Sequence, residues 1–124
     1  MAQEPENDRA KFLPVTPCDL PKKYEGLFEN EEIAGCFRGI RDLIVFTDNR
    51  LVAIDVKGIT GKQKVITTTP YSHICEMTVE TSGIIDLDTD MLLRTTSGTT
   101  LAYSFQRGKD VTKIQNLIGR NMRK

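Results

Sequence analysis

The sequence predicts a mainly β domain: a seven-stranded antiparallel barrel with a C-terminal capping helix and a short N-terminal helix. Three observations predict it. The stretch Asp42 to Asp55 carries two apolar, β-branched runs separated by the polar pair Asp48-Asn49, the signature of a β-hairpin. From Ile33 onward apolar residues keep a period of two, broken at short intervals by turn chemistry. The last segment alone switches to a helical period.

Residues 1–21 hold four of the five prolines, Pro5, Pro14, Pro17 and Pro21, amid polar side chains. Proline supports neither a helix interior nor a central strand, so this stretch reads as a flexible N-terminal arm, and residues 22–124 as a single domain. Residues 22–32 place Tyr24, Leu27 and Phe28 at i, i+3, i+4 among charges, a short amphipathic helix weakened by Gly26. Strands follow over 33–38, 42–47, 51–57, 64–69, 74–81, 91–95 and 100–106. Turns are expected at Gly39, Asp48-Asn49, Gly58 to Gly61, Pro70, Gly83 and Ser97-Gly98. Short strands at this spacing argue for a sandwich or barrel. After Gly108, Asp110 stands where a cap belongs, and Val111, Ile114, Leu117, Ile118 and Met122 fall on one helical face. Arg120, Arg123 and Lys124 sit where the helix dipole favours cations, so this charge run reads as a solvated helix end.

The strand Leu43-Ile44-Val45-Phe46 is apolar on both faces, because side chains alternate along a strand. Its outward set needs a cover, either a helix of the same chain or a second subunit.

Composition narrows the function. Length suits one core that buries roughly two-thirds of the unfolded surface. Seventeen basic and seventeen acidic residues cancel, leaving no global field for nucleic acid, which is not expected as a partner. Cys18, Cys36 and Cys75 are odd in number and widely spaced, which speaks against a disulfide framework and for a reducing compartment. No apolar run reaches the ~18 residues of a membrane span, and residues 1–9 do not resemble a signal peptide. A cytoplasmic location is expected.

An ordered set of blocks runs through the chain: Phe37-Arg38-Gly39-Ile40-Arg41-Asp42-Leu43-Ile44-Val45-Phe46-Thr47 with Arg50-Leu51, Asp55 to Lys62, Pro70-Tyr71-Ser72-His73-Ile74, and Val79 to Gly83 with Asp86-Leu87-Asp88. Their order and spacing resemble the bacterial pleckstrin-homology-like (PH-like) domain family from about Tyr24 to the C-terminal helix. The resemblance implies the barrel-plus-helix fold, bacterial origin, self-association into ring-like homo-oligomers, and no catalytic residues or cofactor.

The remaining candidates for chemistry are weak. Gly58-Ile59-Thr60-Gly61-Lys62-Gln63 is similar to a phosphate-binding loop, but it lacks the glycine spacing, the Ser or Thr after the lysine, and the following helix. It reads as a hairpin turn needing positive φ at Gly58 or Gly61. Asp86, Asp88 and Asp90 open like a calcium loop, yet Met91 and Ser97 stand where glycine and a bidentate glutamate belong. His73 and Cys75 share a strand face, but i and i+2 are ~7 Å apart by strand rise, too far for a nucleophile and its base. No cysteine spacing is typical of zinc. Neither enzyme activity nor a metal site is expected.

Two surfaces remain. Arg38 and Arg41 flank a short turn, and Lys57, Lys62 and Lys64 join them if the hairpin tips lie together, making a site for anionic membrane headgroups. The two-sided strand Leu43, Ile44, Val45 and Phe46, with Tyr24, Leu27 and Phe28, supplies apolar surface for self-assembly. The leading expectation is a non-catalytic self-assembling module with an unknown protein partner; the alternative is a peripheral membrane adaptor.

Overall fold

The computed structural model describes residues 12–81, 88–107 and 110–122. Eight strands form one curled sheet: β1 (Leu13–Pro17), β2 (Ile33–Arg38), β3 (Asp42–Thr47), β4 (Arg50–Lys57), β5 (Gln63–Pro70), β6 (Ile74–Thr81), β7 (Asp88–Thr95) and β8 (Thr100–Gln106). The helix α1 spans Val111–Asn121. The sheet order is β5-β4-β3-β2-β1-β8-β7-β6, a half-barrel of PH-like fold whose two free edges, β5 and β6, are consecutive in the chain.

The seven expected strands are present with ends shifted by at most three residues, and the eighth corrects the reading of the arm. Within that arm Leu13–Pro17 is a strand joining the two halves of the sheet. It runs parallel to β8 at Leu13, Pro14 and Val15, then pairs antiparallel with β2 at Thr16 and Pro17. Each half of β1 pairs with a single neighbour, so its prolines stand in an edge-like hydrogen-bonding environment, where a missing N–H is tolerated. Val15 is fully buried. Residues 1–11 lie outside the described residues.

Two apolar layers sandwich β2, β3 and β4. On the concave side Phe37, Ile44, Phe46 and Leu51 pack with Phe105, Met91 and the buried face of α1, Val111, Ile114 and Ile118. Phe37, Phe46 and Phe105 meet at centroid separations of 4.7 to 6.0 Å. On the convex side Cys36, Leu43, Val45, Val52 and Ile54 are covered by Tyr24 and Phe28, with Cys18, Leu20 and Ile33 at the margin. The alternation read from the sequence is therefore real on both faces, and the cover comes from the same chain. That cover is a 3-10 helix, Lys22–Phe28, shorter than the predicted helix. It closes before Asn30, which adopts a positive φ of 65°.

The turns behave as their residues require. Thr47 Oγ1 accepts from the N–H groups of Asn49 (3.1 Å) and Arg50 (3.0 Å), closing the β3–β4 hairpin. Gly58 and Gly61 both take positive φ, 82° and 71°. Tyr71, fully buried in the link from β5 to β6, donates its hydroxyl to the Thr47 carbonyl at 2.8 Å. Asp110 precedes α1, but its side chain makes no capping bond; its carbonyl accepts from Ile114 N–H at 3.0 Å.

Candidate functional site

The β2–β3 and β4–β5 turns emerge at the same end of the sheet. Gly39 N–H donates to the Asp42 carbonyl (2.9 Å), keeping the first turn tight. Val56 N–H donates to the Arg41 carbonyl (2.9 Å), and Arg41 Nη2 donates to the Gly58 carbonyl (2.5 Å), lashing the second turn to the first. At the two tips Ile40 and Ile59 are completely exposed, at 101% and 103% of their reference accessibility. Neither was singled out from the sequence, although each is an isolated apolar residue in a glycine-flanked turn.

Around the tips stand the five predicted basic residues, Arg38, Arg41, Lys57, Lys62 and Lys64, all exposed. Arg38 and Arg41 line an open groove of about 600 Å³, together with Pro14 of β1 and Lys23 and Tyr24 of the 3-10 helix. Lys57, Lys62 and Lys64 do not line that groove; Lys57 instead pairs with Asp55 at 3.2 Å. Asp42 sits within the groove directly opposite Asp55 across β3 and β4. Burial, then the Asp55 charge facing it, pushes the Asp42 carboxyl above the ordinary carboxylate range, with Lys57 opposing.

The predicted apolar assembly surface is not available as predicted. Leu43, Ile44, Val45 and Phe46 are at most 7% exposed, and Tyr24 and Phe28 lie at 8% and 5%. All six are consumed by the two cores of a single chain. Leu27 alone keeps substantial exposure. The exposed apolar side chains of the sheet lie instead on β5, where Val65 and Ile66 are both about half exposed although they point to opposite faces. β5 thus projects beyond both layers that cover its neighbour β4.

The remaining motifs are dispersed. His73 closes a one-turn 3-10 helix, and the Cys75 thiol lies 3.4 Å from the Arg94 carbonyl. Asp88 and Asp90 belong to β7, and Asp86 lies outside the described residues. Among the described residues no group of three or more His, Cys, Asp or Glu side chains converges. No helix among them is long and apolar enough to cross a membrane. One convergence had no local signal at all: Cys18 and Cys36, 18 positions apart, bring their sulfurs within 3.3 Å.

Comparison with known proteins agrees with this architecture. The chain is 42% identical over 94 residues to the uncharacterized protein YjqA of Bacillus subtilis (strain 168), covering 74% of this chain and 75% of the relative. It is 31% identical over 102 residues to the uncharacterized protein YozO of the same organism, covering 82% and 88%. Among solved structures, a protein with a pleckstrin-homology domain from Shewanella loihica PV-4 superposes with a TM-score of 0.69 at 33% identity, covering 87% of this chain and 97% of that one. The family model for the bacterial PH domain matches residues 7–122, which takes in most of the arm as well as the barrel and helix: the chain belongs to the bacterial PH domain family.

Proposed function

We propose that this chain is a non-catalytic cytoplasmic interaction module that assembles with itself into a ring-like homo-oligomer through the free edges of its sheet, and offers the repeated surface to a protein partner. The observation that carries this reading is β5, an eight-residue edge strand with Val65 and Ile66 exposed on opposite faces. An open edge of this length presents unpaired backbone groups as a template for another strand. The two edges also differ in side chains: β5 carries Lys64 with Lys62 just before it, and β6 carries Glu80 and Glu76, the latter paired with Arg94 of β7 at 2.9 Å. Pairing β5 of one copy with β6 of the next joins unlike surfaces, the heterologous geometry that closes into a ring when the rotation permits. Light scattering on a size-exclusion column, in reducing buffer across a dilution series, tests it. A discrete multiple of 14.0 kDa that survives dilution supports the assembly. A monomer at every concentration removes it.

A second reading is favoured by the hairpin tips. Ile40 and Ile59 project at one end of the sheet amid five exposed basic side chains, a form suited to an anionic membrane surface. Burying an isoleucine is worth roughly 1.5–3 kcal/mol, and each basic residue near an anionic surface about 1 kcal/mol. Together these suffice for reversible docking. Co-sedimentation with phosphatidylserine-containing vesicles, lost in Ile40→Glu/Ile59→Glu and weakened in Arg38→Ala/Arg41→Ala, is the expected result. Equal sedimentation of the variants and the parent ends the membrane reading without touching the first.

A further inference from the structure

The Cys18 and Cys36 sulfurs lie 3.3 Å apart where the end of the arm runs antiparallel to β2. The ladder that pairs Thr16 with Arg38 and Pro17 with Phe37 brings Cys18 opposite Cys36 at its next step, and Cys18 N–H donates to the Cys36 carbonyl at 2.9 Å. Directly opposed residues of an antiparallel pair have Cα separations of about 4.5–5.5 Å, inside the range a disulfide bridges without backbone movement. Both thiols are free here, Cys18 half-buried and Cys36 buried.

We propose that Cys18 and Cys36 form a redox latch, a reversible intrachain disulfide that pins the N-terminal arm onto the sheet. With a peroxide as oxidant, the sulfur of Cys18, the more accessible of the two, attacks a peroxide oxygen. The S–O bond forms, the O–O bond breaks, and water leaves, giving a sulfenic acid at Cys18. The Cys36 sulfur then attacks that sulfenic sulfur; the S–S bond forms and the S–O bond breaks, with the oxygen leaving as a second water after taking up the Cys36 proton. Two thiols are oxidised and one peroxide is reduced to two waters. A dithiol reductant reverses the step by exchange. Burial and the neighbouring thiol push the Cys36 thiol well above its ordinary range, so Cys36 does not compete for the peroxide and gives up its proton only as it attacks the sulfenic sulfur.

The latch acts on a specific part of the molecule. The segment between the two cysteines carries Tyr24 and Phe28, which cover the convex core, and Lys23, which forms part of the groove wall with Arg38 and Arg41. Closing the bridge holds that wall in place and protects Val45, Val52 and Ile54 beneath it. Opening it leaves the wall held by noncovalent contacts alone, among them the Arg50–Glu31 ion pair.

The test uses the full chain with Cys75→Ser, which removes the exposed third thiol, treated with hydrogen peroxide and compared with the dithiothreitol-reduced form. The expected product has lost the mass of two hydrogen atoms and yields a Cys18–Cys36 linked peptide. Trypsin cleavage after Lys22 and Lys23, read after reduction, is expected to slow by about tenfold or more, since the bridge restricts the opening that exposes them. Cys18→Ser in the same background is expected to lose both the link and the peroxide-dependent protection. Oxidation that stops at sulfenic or sulfinic acid on Cys18 overturns the proposal. So does a link that leaves the cleavage rate unchanged, or protection that persists in Cys18→Ser.

Discussion

Arg50, at the start of β4, grips Glu31 in the link from the 3-10 helix to β2: its Nε lies 3.1 and 2.9 Å from the two carboxylate oxygens and its Nη2 2.6 Å from one of them. The same guanidinium donates to the Leu27 carbonyl at 2.8 Å and sits 5.5 Å over the Phe28 ring. One side chain thus ties the 3-10 cover to the sheet through a carboxylate, a main-chain oxygen and an aromatic face. Arg50→Ala is expected to cost about 2–3 kcal/mol in urea unfolding, and Arg50→Lys to recover only part of it, because an ammonium cannot reproduce the planar fork.

The same pair sets an acid limit. The Arg50 hydrogen bond holds the Glu31 carboxyl below its ordinary 4.5, against the opposing effect of burial. A lowered folded value means that the unfolded chain binds the proton more readily. The stabilisation is therefore present above pH ~4.5 and is lost as pH falls through the folded value. The stability gap between the parent and Glu31→Gln should narrow as pH falls below about 5 and on through the folded value; a gap independent of pH would mean that the ion pair contributes nothing.

Asp42 has the opposite sign. Its carboxyl is raised above 3.8, first by burial and then by Asp55 opposite. Its protonation therefore stabilises the fold below that value, and the contribution is lost as pH rises through the folded value. At pH 7 Asp42 is a strained charge, and Asp42→Asn is expected to raise stability by about 0.5–1 kcal/mol. A lower denaturation midpoint in Asp42→Asn would show that Lys57 outweighs Asp55.

Gly35 is where β2 lets α1 approach. A Cβ there would stand 2.8 Å from Ile114 Cδ1 and 3.0 Å from Phe37 Cε1, both on fully packed side chains. Gly35→Ala should cost about 1–3 kcal/mol by overpacking. Pairing it with Ile114→Val, which removes the clashing methyl, should cost less than the sum of the single changes, and a chemical denaturation cycle measures that coupling.

The β5 edge gives the sharpest separation of assembly from stability. Val65→Lys/Ile66→Lys alters two half-exposed side chains, so the melting temperature should change little. The mass in solution should fall to that of the single chain. An unchanged oligomer mass would move the interface away from β5.

The two-period apolar runs, the Asp48-Asn49 turn and the glycines of the β4–β5 turn made seven strands, their hairpins and the closing helix legible from sequence, because alternation, turn dihedrals and helical spacing are properties of adjacent residues. The same local reading hid β1: Pro14 and Pro17 argue against a strand until a sheet offers each half of it a single neighbour. The basic residues of the candidate site were legible as types, but their division between the groove and the tips was not. Leu43 to Phe46 announced that both faces need cover; which segment supplies it was a long-range matter, and Tyr24 and Phe28 arrived by chain reversal. The meeting of Cys18 with Cys36 and the joint projection of Ile40 and Ile59 belong to the tertiary structure alone, since register and the lashing of one turn to another depend on contacts between residues far apart in the chain.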